Sequence, residues 1–139
     1  MAALFESYRS AFERQDASAI ADHYAFPMLS TIDTGKIVVT PVASKAELSA
    51  QLERLLTMYR AIGVRSARIL TLSSLGFSSR LAQVSIEWEI CGGGAEVLYA
   101  FQAAYTLALI DGALRITAVT HNEIPRYREC LARLEAMKL

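Results

Sequence analysis

The apolar period of this chain changes at Gly63 from about 3.6 residues to two, dividing it into a mostly helical part and a stranded part. Before the change, Leu48, Leu52, Leu55, Leu56, Tyr59 and Ile62 form one helical stripe, and Gly63 supplies the left-handed position that ends it. Ser44-Lys45-Ala46-Glu47 opens that helix as a capping box, the serine and glutamate side chains satisfying free backbone N–H groups at the helix start. After the change, strands are predicted at Arg65–Leu72, Arg80–Cys91, Ala95–Ile110 and Ala113–Asn122. Ser73–Ser79, Gly92-Gly93-Gly94 and Asp111-Gly112 divide them. Helices followed by long meandering strands predict an α+β domain in which helices pack on a curved antiparallel sheet.

The N-terminal residues supply more helix. Leu4, Phe5, Tyr8, Ala11 and Phe12 share one face, and Asp16 caps a second helix carrying Ile20, Ala21 and Tyr24, which Pro27 stops near Ala25. Met28 to Ile32 and Ile37 to Val42 are short strands around the turn Asp33-Thr34-Gly35-Lys36, and Pro41 suits an edge strand. Pro125 opens a last helix, about residues 125–137, with Tyr127, Leu131 and Leu134 on one face for docking on the domain or on a partner. At 139 residues the chain has room for one domain.

Alternation sets the faces of the sheet. Val97, Tyr99, Phe101, Ala103, Tyr105, Leu107 and Leu109 form a bulky face directed at the helices. Leu98, Ala100, Gln102, Ala104, Thr106 and Ala108 form a small face too apolar to be left in water, which predicts a homodimer through the sheet. In the preceding strand Val84, Ile86, Trp88 and Ile90 alternate with Gln83, Ser85, Glu87 and Glu89, a polar set suited to the rim of that interface.

Composition excludes several classes of function. Fourteen basic and fourteen acidic side chains balance, so the chain lacks the cationic field that nucleic acid or an anionic membrane needs. No apolar run reaches membrane-spanning length and no basic-then-apolar leader opens the chain; with two cysteines, Cys91 and Cys130, outside any CxxC spacing, the expectation is a cytoplasmic protein. The two histidines, His23 and His121, have neither HxH nor HExxH spacing, so no metal site is expected. Gly92-Gly93-Gly94 joins strands rather than opening a helix, and no phosphate loop, dinucleotide fingerprint or GxSxG is present, so no cofactor is expected. Arg60, Arg65 and Arg68, around the end of the third helix, form either an anion-binding edge or a solvated one.

The segment Tyr8-Arg9-Ser10-Ala11-Phe12-Glu13-Arg14-Gln15-Asp16 and the closing run Asp111-Gly112-Ala113-Leu114-Arg115-Ile116-Thr117-Ala118-Val119-Thr120 resemble the first helix and last hairpin of the nuclear transport factor 2-like superfamily, which includes ketosteroid isomerase and the polyketide cyclases. The resemblance spans residues 4 to about 122 and leaves the last helix outside the common core. It implies a cone-shaped half-barrel with a mostly apolar pocket between helices and sheet, able to take a small apolar ligand. In the isomerases a tyrosine, an aspartate base and a protonated aspartic acid serve the chemistry. Tyr8 is similar to the first, Asp33 lies within one residue of the second, and the third falls at Ala103 or Ala104, which carry no donor.

Each candidate has two roles open. Tyr8 polarises a ligand carbonyl or is a core tyrosine with a satisfied hydroxyl, and Asp33 abstracts a proton or simply forms a turn. His121 transfers protons at the pocket or is a hydrogen-bonded structural histidine; His23 is a boundary residue. Tyr24, Trp88, Tyr99, Phe101 and Tyr105 wall a ligand site, fill the core, or do both. The readings that follow are a small-molecule-binding protein and, as the alternative, a cofactor-independent isomerase, cyclase or dehydratase acting on a small apolar carbonyl compound.

Overall fold

The computed structural model describes residues 1–138. Helices α1 (Ala2–Glu13) and α2 (Ala17–Ala21) precede strands β1 (Tyr24–Asp33) and β2 (Ile37–Val42), followed by the long helix α3 (Lys45–Ile62). Strands β3 (Ser66–Ser78), β4 (Leu81–Cys91), β5 (Val97–Ile110) and β6 (Ala113–His121) then lead to helix α4 (Glu123–Ala136). The six strands form one curved, unclosed sheet in the order β2-β1-β6-β5-β4-β3. This is the expected α+β architecture, with helices on the concave face and an added C-terminal helix.

The helix ends follow their local chemistry. Ser44 Oγ accepts the Glu47 N–H at 3.3 Å, while the Glu47 carboxylate accepts the Ala43 N–H at 2.9 Å, so the capping box reaches one residue further back than its usual form. At the other end Gly63 takes φ +76°, which closes the helix without the cost a Cβ would meet there. Asp16 caps α2 through the Ala19 N–H at 3.0 Å.

Four details differ from expectation. Helix α2 stops at Ala21 and Tyr24 begins β1, because the His23 carbonyl already accepts the Ile116 N–H, at 2.9 Å, and draws the chain into the sheet. Strand β1 runs parallel to β6, with Thr31 opposite Thr120 and Ile32 opposite His121. Parallel pairing requires a long crossover, here everything from β2 to β5, and such a distant partner is invisible to local pattern. Strand β3 continues through the serine-rich stretch to Ser78, since pairing with β4 from Ser73–Ser85 to Ser78–Leu81 overrides weak strand propensity. Helix α4 begins at Glu123, so Pro125 lies within its first turn, where a missing N–H costs nothing.

The predicted bulky face of β5 packs inward at Tyr99, Phe101, Ala103, Tyr105 and Leu107; Val97 and Leu109, near its ends, are exposed. On the opposite face Gln102 and Ala104 are exposed and Leu98 is buried near α4, whose Arg133 donates to the Leu98 carbonyl at 2.7 Å. Helix α4 docks on the domain: Tyr127 donates to the Met58 carbonyl at 2.8 Å and Arg128 to the Thr34 carbonyl at 2.6 Å. No helix among the described residues is long and apolar enough to cross a membrane.

Candidate functional site

The concave face of the sheet and the helices enclose a cavity of about 480 Å³. Its wall is mainly apolar, built by Phe12 of α1, Met28 and Ile32 of β1, Leu52 and Leu55 of α3 and Phe101 of β5. Strand alternation explains the membership: every second residue of β1 points to the concave side, which brings Met28, Ser30 and Ile32 to the cavity. The exposed residues Glu13, Arg54 and Arg65 mark its rim.

Three hydrogen-bonded groups of polar side chains stand at this wall. Tyr8 of α1 and Tyr24 of β1 pair their hydroxyls at 2.8 Å. Trp88 Nε1–H of β4 donates to the Tyr105 hydroxyl of β5 at 2.9 Å. The third group centres on Glu123, at the start of α4 and 3% exposed: Tyr59 of α3 donates to its Oε2 at 2.5 Å and Tyr99 of β5 donates to the same oxygen at 2.9 Å. The Glu123 backbone N–H donates to His121 Nδ1 at 3.2 Å, so the neutral ring carries its proton on Nε2. Among the described residues no buried side-chain nitrogen or oxygen is left without a partner.

Burial sets the charge state of these groups. It pushes the Glu123 carboxyl up to about 7, against the opposing effect of the two tyrosine hydroxyls. It pulls His121 down to about 4, leaving the imidazole neutral at pH 7. Tyr8 and Tyr105 are pushed well above the usual phenol value, mainly by burial, and Tyr24 to about 12, so all three hydroxyls stay protonated. The site therefore holds one acid that changes charge near neutrality within a shell of neutral donors.

Tyr8, Tyr24, Trp88, Phe101, Tyr105 and His121 all line the cavity. Tyr99 is drawn in behind them through Glu123. Asp33 is not brought to the site. Its side chain is exposed at the β1–β2 turn and accepts the Gly35 N–H at 2.9 Å, while Ile32, one residue earlier, occupies the inward position. The absent donor at Ala103 has a neighbour of consequence: Ala103 is buried and lies opposite His121 in the β5–β6 register. His23 ties the two N-terminal helices together, with Nδ1–H donating to the Ile20 carbonyl at 3.1 Å and Nε2 accepting from the Ser7 hydroxyl at 2.9 Å.

The basic edge around the end of α3 is dispersed: Arg60 donates to Gln15 at 3.0 Å, Arg68 pairs with Glu89, and Arg65 alone reaches the cavity rim. The described residues contain no group of three or more His, Cys, Asp or Glu placed to hold a metal ion.

Sequence reasoning missed Glu123 and the role of Tyr59. A tyrosine within the otherwise aliphatic stripe of α3 was the available signal, since a buried hydroxyl needs a partner and Glu123 is that partner.

The family model described as NTF2-like protein (DUF6841) matches residues 1–124. An NTF2-like protein of unknown function from Shewanella oneidensis superposes with a TM-score of 0.68 at 16% identity, over 87% of this chain and 94% of that one. An NTF2-like protein of unknown function from Pseudomonas putida gives 0.65 at 14% identity, over 86% and 80%. An NTF2-like protein with a cystatin-like fold from Novosphingobium aromaticivorans gives 0.66 at 11% identity, over 86% and 76%. No curated protein matches the chain.

Proposed function

Because the chain belongs to the NTF2-like family described as DUF6841, we propose that it binds a small, mostly apolar molecule in the cone between helices and sheet. The observation that carries this reading is the cavity of about 480 Å³ with an apolar wall and a few convergent polar groups. Ligand pockets span roughly 300–1,000 Å³ and share that division of labour. The test is uptake of a neutral apolar fluorophore such as Nile red, compared with Leu55→Trp, which places an indole in the cavity from α3. Saturable uptake by the wild type and its loss in a folded Leu55→Trp variant are expected. Equal uptake by both would reject the site.

A second reading, a cofactor-independent isomerase, cyclase or dehydratase acting on a small apolar carbonyl compound, is favoured by one observation: Tyr8 and His121 both line the cavity. In that chemistry the His121 Nε2–H faces the substrate oxygen and Glu123, rather than Asp33, exchanges the proton. Turnover of an enolisable ketone, lost in His121→Phe, tests it; no turnover across a ketone panel rejects it. The uncovered outer face of the sheet around Gln102 and Ala104 supports a homodimer. Two unbridged thiols, Cys91 and Cys130, support a reducing, cytoplasmic location.

A further inference from the structure

The cavity contains an acid that no base among the described residues answers. Glu123 is 3% exposed, and the ion pairs among the described residues all lie elsewhere. Its Oε2 takes both tyrosine hydroxyls, whereas Oε1 takes no hydrogen bond from the described residues. Since no buried side-chain oxygen among the described residues lacks a partner, Oε1 must be accessible, and Glu123 lines the cavity. The carboxylate is held firmly by one oxygen and offers the other.

We infer that Glu123 is the recognition point for a small aromatic or alicyclic amine, whose ammonium N–H donates to Oε1 while its apolar body fills the cavity. This rests on the ligand-binding reading above and names the class of ligand. Tyr8, Tyr59, Trp88, Phe101 and Tyr105 surround the same space, and the faces of such rings favour a cation. A neutral alcohol or ketone fills the volume without compensating the buried negative charge.

The surrounding titratable groups do not compete for that role. Tyr59 from α3, Tyr99 and Tyr105 from β5 and His121 from β6 are neutral at pH 7. Tyr127 and Cys130 on α4 are likewise pushed up by burial. Arg9 is paired with Glu6 and Glu13, and the rim cations Arg54 and Arg65 are exposed, where water and salt screen them. Ammonium binding requires ionised Glu123, so below neutrality it must expel a proton from the carboxyl.

Calorimetric titration of the full chain with benzylamine, benzyl alcohol and acetophenone tests the inference, at pH 6 and 8 in two buffers of different ionisation enthalpy. Benzylamine is expected to bind at least about tenfold more tightly than either neutral probe at pH 8, to weaken about tenfold at pH 6, and to release close to one proton per site there. Glu123→Gln, with folding checked by circular dichroism, should bind the amine no better than the alcohol. The proton release is read on the wild type and does not depend on that variant folding. Neutral probes binding as tightly as the amine, or amine binding with no proton release at pH 6, overturns the amine inference and leaves the ligand-binding reading standing. Entry of none of the three probes, nor of Nile red, overturns both.

Discussion

Replacing Glu123 by Gln should change how stability depends on pH, in a way that also exposes His121. Burial moves the two groups in opposite directions, Glu123 from 4.5 up to about 7 and His121 from 6.5 down to about 4. Each displacement, some two and a half pH units, corresponds to about 3 kcal/mol at most. For the raised carboxyl the stability is present below about 4.5 and is lost as pH rises through about 7. For the lowered imidazole it is present above about 6.5 and is lost as pH falls through about 4. Between about 4.5 and 6.5 the unfolded chain carries its proton on His121 and the folded chain carries it on Glu123. The proton counts are equal, so these two residues contribute no slope in that window. Glu123→Gln keeps an oxygen for the tyrosines and removes one of the cancelling contributions. Its stability relative to wild type should therefore rise by about 3 kcal/mol from pH 4.5 to pH 8, most of it before pH 7.5. Urea denaturation of both proteins at half-unit pH steps measures this difference, and contributions from other carboxylates cancel in it. Parallel curves across the range would refute the assignment of a protonated, buried carboxyl.

Three further outcomes follow from individual contacts. Tyr8→Phe removes the hydroxyl bonded to that of Tyr24 and should cost about 1–2 kcal/mol in urea denaturation; an unchanged midpoint would show the pair to be energetically idle. Ser44→Ala strips the cap from α3 and should cost about 1 kcal/mol, whereas Asp33→Asn, outside the cavity, should leave fluorophore uptake unaltered; reduced uptake would bring Asp33 back to the site. Sedimentation at micromolar concentration should give a dimer, and a monomer alone would dismiss the sheet face as an interface.

The sequence disclosed the elements far better than their partners. The capping box at Ser44, the stop at Gly63 and the alternation of β5 are local, and each was readable because neighbouring residues alone decide it. The short α2, the parallel β1–β6 pair and the serine-rich half of β3 were not, because distant strands decide them. The same division holds in the cavity. Tyr8, Trp88 and Tyr105 follow from face assignments within one element each. Glu123 sits at a strand-to-helix junction that has no period, and only the convergence of α3, β5 and α4 makes it the buried acid. Asp33 lies a single residue of alternation from the inward position that Ile32 occupies, the smallest shift that sends a strand side chain to the opposite face.

The parallel seam between β1 and β6 bears on the order in which the molecule assembles. Tyr24 pairs with Ile116 and Ile32 with His121, so some ninety residues separate partners along this one line of hydrogen bonds. The β3–β6 meander joins strands adjacent in sequence and has much shorter loops to close. The seam should be the late, rate-limiting event. Strand β1 joins β6 along this seam, so the part of the cavity wall that Met28, Ser30 and Ile32 supply is completed with the last step. In stopped-flow refolding, a probe captured by the cavity should appear with the slowest phase, after most of the secondary-structure signal has already developed.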